Sequence, residues 1–224
     1  VEKVRHVGDL VAAVAAVDEA TALEALRLIK VDYEVLEPVH DMRKAIEDSD
    51  NPIHDRGKYH IGESNVQKRV FQEFGNIKAM RNSLATSTAK WKFAGVNHGF
   101  TEPHATVAHW DPSGRLTLYT PQQVPHYVHR ALADVLDIPM HQINVHRTAV
   151  GGGFGGKSDP FPHEMCAAIL ARKSGRPVRI TFDRDEVFYV NRGRHPSRLE
   201  MVIHADGQGR LCGIETDALL DGGA

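Results

Sequence analysis

The segment Gly151-Gly152-Gly153-Phe154-Gly155-Gly156 packs five glycines around one phenylalanine, and Lys157-Ser158 follow at once. A backbone with so few β-carbons is poorly held inside a helix or strand, so it must be a connection. It also leaves main-chain N–H groups able to face an anionic or oxygen-bearing ligand at close range. A strained turn without any ligand is the plain alternative. The same residues satisfy two glycine-rich formulas, GxxxxGK[ST] for phosphate loops and GxGxxG for dinucleotide loops.

Neither formula fits its context. A phosphate loop puts the lysine and the hydroxyl residue in the first turn of a helix whose N-terminus faces the phosphate. Here Ser158 runs into Asp159-Pro160-Phe161-Pro162. Proline suits the first helical position, and the residue before it is pushed out of helical geometry. The helix is therefore predicted to start near Pro160, with Lys157 and Ser158 outside it. A dinucleotide loop should open the first βαβ unit of its domain, whereas this one lies far along the chain. A phosphate-loop ATPase or kinase-like module using Lys157 and Ser158 is kept as the rival reading.

The rest of the chain reads as α+β. Residues 7–17 are almost all apolar and are expected to be a strand covered on both faces. Asp18 or Thr21 can cap the helix that follows, with Leu23, Leu26 and Ile29 on one side. Val31 to Val35 alternates as a second strand. Residues 49–76 are polar and broken by Pro52, Gly57, Gly62 and Gly75, as in a connection between domains. Strands are predicted over Leu84–Val96, His104–Trp110, Arg115–Thr120, from Ile143, and over Pro177–Phe182. Asp111-Pro112-Ser113-Gly114 has tight-turn chemistry. Pro125–Leu136 is predicted to be a helix with Val128, Leu132, Val135 and Leu136 on one face. A second helix should run to Lys173 and close at Gly175. Asp183–Val190 reads as a short helix, and Leu199–Ala205 with Leu211–Leu220 as a hairpin. The resulting division is 1–48, a linker at 49–80, and an incomplete second domain at 81–224. The chain begins on Val1 and ends on Asp221-Gly222-Gly223-Ala224 after a strand-like run, and reads as an internal piece without a signal peptide.

With 224 residues, 42% apolar and 25% charged, the composition is that of a globular protein. The net charge is −2 with acids and bases interspersed, which argues against nucleic acid or a membrane surface as partner. The longest apolar run is far short of the roughly 20 residues that span a bilayer. Cys166 and Cys212 stand alone, which excludes a cysteine-held cluster or zinc within this chain and suits a cytoplasmic location. The fourteen histidines are scattered without an HExxH. His126 and His129 share a helix face but lack a third ligand, so packing or surface roles are expected. His163-Glu164 suits a helix start. Glu102 reads as a buried acid that bonds backbone, Lys157 as facing a phosphate or solvent, and Arg192, Arg194 and Arg198 as a solvated cluster.

Five segments carry a resemblance. They are Arg5–Asp9 through Val31–Glu34, Asn97-His98-Gly99-Phe100-Thr101-Glu102-Pro103-His104, Thr120-Pro121-Gln122-Gln123, Gly151–Lys157, and Thr181-Phe182-Asp183-Arg184-Asp185-Glu186. In this order they resemble the molybdopterin-binding large subunit of the molybdenum hydroxylase (xanthine oxidase) family, over essentially the whole chain. The fold implied is the end of an α/β hammerhead domain followed by part of a molybdopterin-binding α+β domain. Residues 7–37, Val96-Asn97-His98 and residues 123–129 are similar in wording to the large (alpha) subunit of 4-hydroxybenzoyl-CoA reductase.

The resemblance implies a molybdenum-pterin oxidoreductase that exchanges oxygen at an aromatic or heteroaromatic carbon. The family glutamine that hydrogen-bonds a molybdenum oxo group matches Gln123, with Gln122 as the alternative register. The phenylalanine whose N–H reaches the metal's ligand sphere matches Phe154, flanked by Gly153 and Gly155. Purine-oxidising members carry glutamate where Ser158 stands, on the substrate side. No protein side chain is implied as a direct metal ligand, and the family's general-base glutamate lies beyond Ala224. The cofactor implied is molybdopterin cytosine dinucleotide, with [2Fe-2S] clusters and FAD on an iron–sulfur subunit and a FAD subunit of a hetero-oligomer. The substrate implied is a small aromatic, including a CoA thioester.

Overall fold

The computed structural model describes residues 3–48, 52–54, 65–82 and 85–223. The expectations that fell on Gly57, Gly62 and Leu84 lie outside them. The elements are α1 (Glu19–Leu28), α2 (Met42–Glu47), α3 (Ile77–Met80), β1 (Ala85–Phe93), β2 (Ala105–Trp110), β3 (Leu116–Thr120), α4 (Pro125–Leu136), β4 (Ile143–Arg147), α5 (Pro162–Ser174), β5 (Val178–Thr181), α6 (Arg184–Val190), β6 (Ser197–Ala205) and β7 (Leu211–Leu220). The chain is α+β and divides into two compact units, Val1–Glu34 with Asn97–Gly193, and Val35–Val96 with Arg194–Ala224.

The first unit is built on a four-stranded sheet in the order β4-β3-β2-β5. β2 and β3 form an antiparallel hairpin. Its turn is closed by Asp111, whose Oδ1 accepts the N–H groups of Ser113 and Arg115 at 2.9 Å each. β3 and β4 are parallel, which demands a crossover, and α4 supplies it. α4 starts with proline in its first turn and turns Val128, Leu132 and Leu136 inward at four-residue spacing. Val135 was expected on that face but is 56% exposed, because the buried stripe is one residue wide per turn.

α5 lays Ala167, Ala168 and Ala171 on the same core, where Leu116, Leu118 and Ala108 are fully buried. Small residues on a helix face let it approach a sheet closely, and Trp110 Nε1 donates to the Ala168 carbonyl at 2.8 Å across that contact. α5 begins at Pro162 instead of Pro160: Phe161 is extended (φ −111°, ψ 150°), as a residue before proline must be. It ends at Gly175 in the left-handed region, φ 64°.

The strands expected at residues 7–17 and 31–35 do not form among the described residues. A strand exists only with a neighbour to share its N–H and C=O groups, and neither stretch pairs with a strand among the described residues; Val7, Val17 and Val35 are strongly exposed. α1 between them is as expected, with Asp18 as its cap accepting the Thr21 N–H at 2.8 Å.

The second unit is an antiparallel sheet in the order β1-β6-β7, with the β6–β7 hairpin as expected. The side chains of Ile77 and Met80 in α3 lie over Gly213 of β7. Buried His204 meets Glu215 at 3.0 Å, and Glu215 in turn holds Arg81.

Candidate functional site

Strand direction decides which loops meet. Parallel pairing sets the C-terminal ends of β3 and β4 side by side, with Thr120 opposite Arg147. Gln122 and Gln123 follow β3 directly, and the glycine loop follows β4. β2 runs antiparallel to β3, so the residues before Ala105, including Glu102, arrive at that same sheet edge. β5 is antiparallel to β2 and ends there too, with Phe182 N–H donating to the His104 carbonyl at 2.9 Å. Segments from four distant places therefore converge, as they do at the carboxyl ends of parallel strands in open sheets.

Gln123 is bonded into the loop at three points. Its Oε1 accepts the N–H of Gly155 at 3.0 Å and that of Lys157 at 3.2 Å. Its own N–H donates to the Lys157 carbonyl at 2.8 Å. Two donors facing Oε1 fix the orientation of the amide, so Nε2 turns away from the loop, and it makes no hydrogen bond among the described residues. The N–H groups of Gly152, Gly153 and Phe154 are also unpaired among the described residues. Phe154 sits at φ 53° and is 74% exposed, an uncommon conformation for a non-glycine residue. Gly153 is buried against Gln123, and a β-carbon there would fall 2.4 Å from Oε1. Gly156 is hemmed in by His98, Phe100 and Asn191.

Glu102 and Lys157 stitch the loop from below. Glu102 Oε2 accepts the Gly151 N–H at 2.8 Å and the Lys157 ammonium at 2.6 Å. Lys157 is fully buried, with Nζ 4.7 Å above the Phe100 ring. It is taken up by Glu102 and Phe100, so it does not face solvent as one of the two expectations had it. Burial alone would raise the Glu102 carboxyl, but the hydrogen bonds from Lys157 and Gly151 outweigh it and hold the group below its ordinary range. Glu102 bonds backbone as expected, but its side chain is partly exposed and not buried.

Gln122 points the other way, into the interior. It is 1% exposed, and its Nε2 donates to the Asp159 carbonyl at 2.8 Å and to Glu164 Oε1 at 3.1 Å. Glu164 also accepts from the Thr120 hydroxyl at 2.8 Å and the Phe161 N–H at 3.0 Å. Burial pushes the Glu164 carboxyl up against the pull of these donors. Beside them, His104 and His163 pack edge-on or tilted among Phe100, Phe161 and Phe182. Burial lowers His104 to about 4 and His163 to about 3, so both are neutral.

Ser158 is half-buried at the end of the loop, four residues before α5. Arg192 pairs with Asp159 at 3.0 Å and Arg198 with Asp41 at 3.7 Å, so these two are tied to acids. His129 bonds the Met140 carbonyl at 2.9 Å, and no group of three His, Cys, Asp or Glu able to hold a metal occurs among the described residues. No helix among them is long and apolar enough to cross a membrane. Sequence reasoning missed the contact of His98 and Asn191 with the loop; the glycine at 156, flanked by no obvious partner, was the only trace of it.

Residues 60–224 match the molybdopterin cofactor-binding domain. The chain belongs to that family, whose members are molybdenum-dependent oxidoreductases. Residues 1–37 match the a/b hammerhead domain of aldehyde oxidase and xanthine dehydrogenase. Among its relatives, the xanthine dehydrogenase molybdenum-binding subunit of Escherichia coli O157:H7 is 31% identical over 99% of the chain and 29% of its own length. The nicotinate dehydrogenase large molybdopterin subunit of Eubacterium barkeri is 31% identical over 100% of the chain and 51% of its own length. Quinoline 2-oxidoreductase from Pseudomonas putida 86 superposes with a TM-score of 0.82 at 30% identity, covering 91% of this chain and 25% of that one. The chain thus spans about half or less of the proteins it matches.

Proposed function

We propose that this chain forms the cofactor-facing part of a large subunit that exchanges an oxygen atom at an aromatic or heteroaromatic carbon. The observation that carries the reading is the shared setting of Gln123 and the glycine loop: an amide whose Nε2 is turned outward by two loop N–H groups, beside the unpaired N–H groups of Gly152, Gly153 and Phe154. Such a set of neutral donors fits the oxygen-bearing face of a molybdenum-pterin group, and the β-carbon-free wall at Gly153 lets that face come close.

Gln123, Gly153, Phe154 and Gly155 would hold the group, with Ser158 on the substrate side. When bound, the molybdenum-pterin group, in its cytosine dinucleotide form, supplies the two-electron chemistry that adds or removes the oxygen. The chain's own contribution is orientation. Gln123 and the loop present dipoles fixed in advance, and such donors act strongly where water is excluded. The electron carriers, [2Fe-2S] clusters and FAD, would sit on an iron–sulfur subunit and a FAD subunit of a cytoplasmic hetero-oligomer, since Cys166 and Cys212 are the only two cysteines of this sequence and do not make a cluster-binding set. In this reading residues 1–48 end the hammerhead domain, 49–80 link, and 81–224 begin the cofactor domain.

Relatives named for xanthine, nicotinate and quinoline favour a nitrogen heteroaromatic or similar small ring as substrate. The wording of residues 7–37 and 123–129 favours instead a 4-hydroxybenzoyl-CoA reductase-like member, whose ring is a phenol carried on a CoA thioester. Molybdenum analysis of the purified full-length protein tests the proposal: near-stoichiometric metal is expected. Metal-free native protein that binds ATP with magnesium, and loses that binding in Lys157→Ala, would instead favour the phosphate-loop rival. The burial of Lys157 against Glu102 speaks against that rival.

A further inference from the structure

The ion pair beneath the loop joins residues 55 positions apart in the sequence, and its geometry is more specific than burial requires. One carboxylate oxygen of Glu102 receives both the Gly151 N–H, where the loop begins, and the Lys157 ammonium, where it ends. The Glu102 N–H also donates to the Gly151 carbonyl at 3.1 Å. Lys157 then carries the connection onward through its main chain, bonding the Gln123 side chain through its N–H and the Gln123 backbone through its carbonyl. Glu102 reaches Gln123 through one intervening residue.

We propose that Glu102 and Lys157 are a positioning pair that closes the glycine loop onto Gln123 and thereby sets the outward direction of its amide. The inference rests on the reading of Gln123 given above. The physical logic has two parts. A loop of five glycines has no side chains to hold its shape, so its ends must be tied. A tie made by two opposite charges, its ammonium buried and its carboxylate partly exposed, cancels its own charge, so the ligand meets N–H dipoles and not a cation. Phe100 completes the arrangement by offering its ring face to the ammonium.

The test uses the full-length protein with its accompanying subunits, in Glu102→Gln, Lys157→Met and the double variant. In Glu102→Gln, kcat is expected to fall by about 10- to 100-fold, the range typical of residues that orient a metal site from behind. KM and molybdenum content should be retained, the Mo(V) electron paramagnetic resonance signal should change, and amide hydrogen exchange at Gly155 and Lys157 should accelerate. The double variant removes both charges at similar shape. It is expected to regain the thermal midpoint lost by the single variants, while loop exchange and the resonance signal stay altered. Wild-type exchange and signal in Glu102→Gln would overturn the proposal. So would a double variant that recovers full turnover, because the pair would then matter for stability alone. If the single variants fail to fold, the double variant still decides. Exchange at Gly155 and Lys157 in metal-free protein reads the tie independently of Gln123's role, so a Gln123→Ala variant with unchanged turnover would remove the site reading while leaving the tie measurable.

Discussion

Gly153 and Gln123 face each other so closely that a β-carbon on Gly153 would lie 2.4 Å from the Gln123 Oε1 and 2.7 Å from its amide carbon. Neither side can yield freely, since Oε1 is held by the Gly155 and Lys157 N–H groups. Gly153→Ala should therefore displace the Gln123 amide. A shift of that size is expected to lower kcat by about 100-fold and stability by about 1–3 kcal/mol. Turnover assays and denaturant midpoints on the full-length variant check both, and wild-type turnover would mean that the amide's position is immaterial.

Gln122 and Gln123 are adjacent in sequence but serve opposite sides of the chain, and paired substitutions should separate them. Gln123→Ala is expected to cut turnover by about 100- to 1,000-fold, the scale for one oriented donor, with molybdenum content near wild type. Gln122→Ala should instead cost about 1–3 kcal/mol of stability, because buried Glu164 loses a donor. Unchanged turnover in Gln123→Ala would take that residue out of the site.

The buried histidine pair makes a pH prediction. His104 and His163 stay neutral down to about 4 and about 3, whereas an unfolded histidine takes up its proton near 6.5. Below 6.5 the unfolded chain binds more protons than the folded one, so stability is full above that pH and declines as pH falls toward 4 and then 3. The slope should approach about 1.4 kcal/mol per pH unit for each histidine. His163 has no partner for either ring nitrogen among the described residues, so His163→Phe should flatten the decline without lowering the thermal midpoint at neutral pH. An unaltered slope in that variant would show that other groups control the acid limb.

In the second unit, Arg81 and His204 hold Glu215 down to about 2. A carboxylate depressed in this way contributes stability above its ordinary 4.5, and the contribution is lost as pH falls from there to about 2. Arg81→Met should move the Glu215 titration upward toward 4.5, read by carbon NMR of the side-chain carboxyl. A titration midpoint that stays near 2 would assign the depression to His204 instead.

Short-range chemistry was legible without coordinates. Pro125 in the first turn and the Val128, Leu132, Leu136 spacing mark α4 at its observed limits. Asp111 declares its turn, and the short helix expected over Asp183–Val190 is α6. The prolines at 160 and 162 keep Lys157 and Ser158 out of a helix, which is what separates this loop from a phosphate loop. All of these rest on residues within a few positions of one another, where backbone sterics and local hydrogen bonds decide the outcome.

Partner choice was not legible. Residues 7–17 carry the apolar pattern of a strand, yet pairing depends on a neighbour that their own sequence cannot specify. Lys157 reads as a solvent or phosphate lysine until β2 brings Glu102 to it from 55 residues away. Gln123 and the glycine loop were joined beforehand only through resemblance. Their meeting in space follows from β3 and β4 running parallel, a long-range choice made by burial of the apolar core and not by either segment alone.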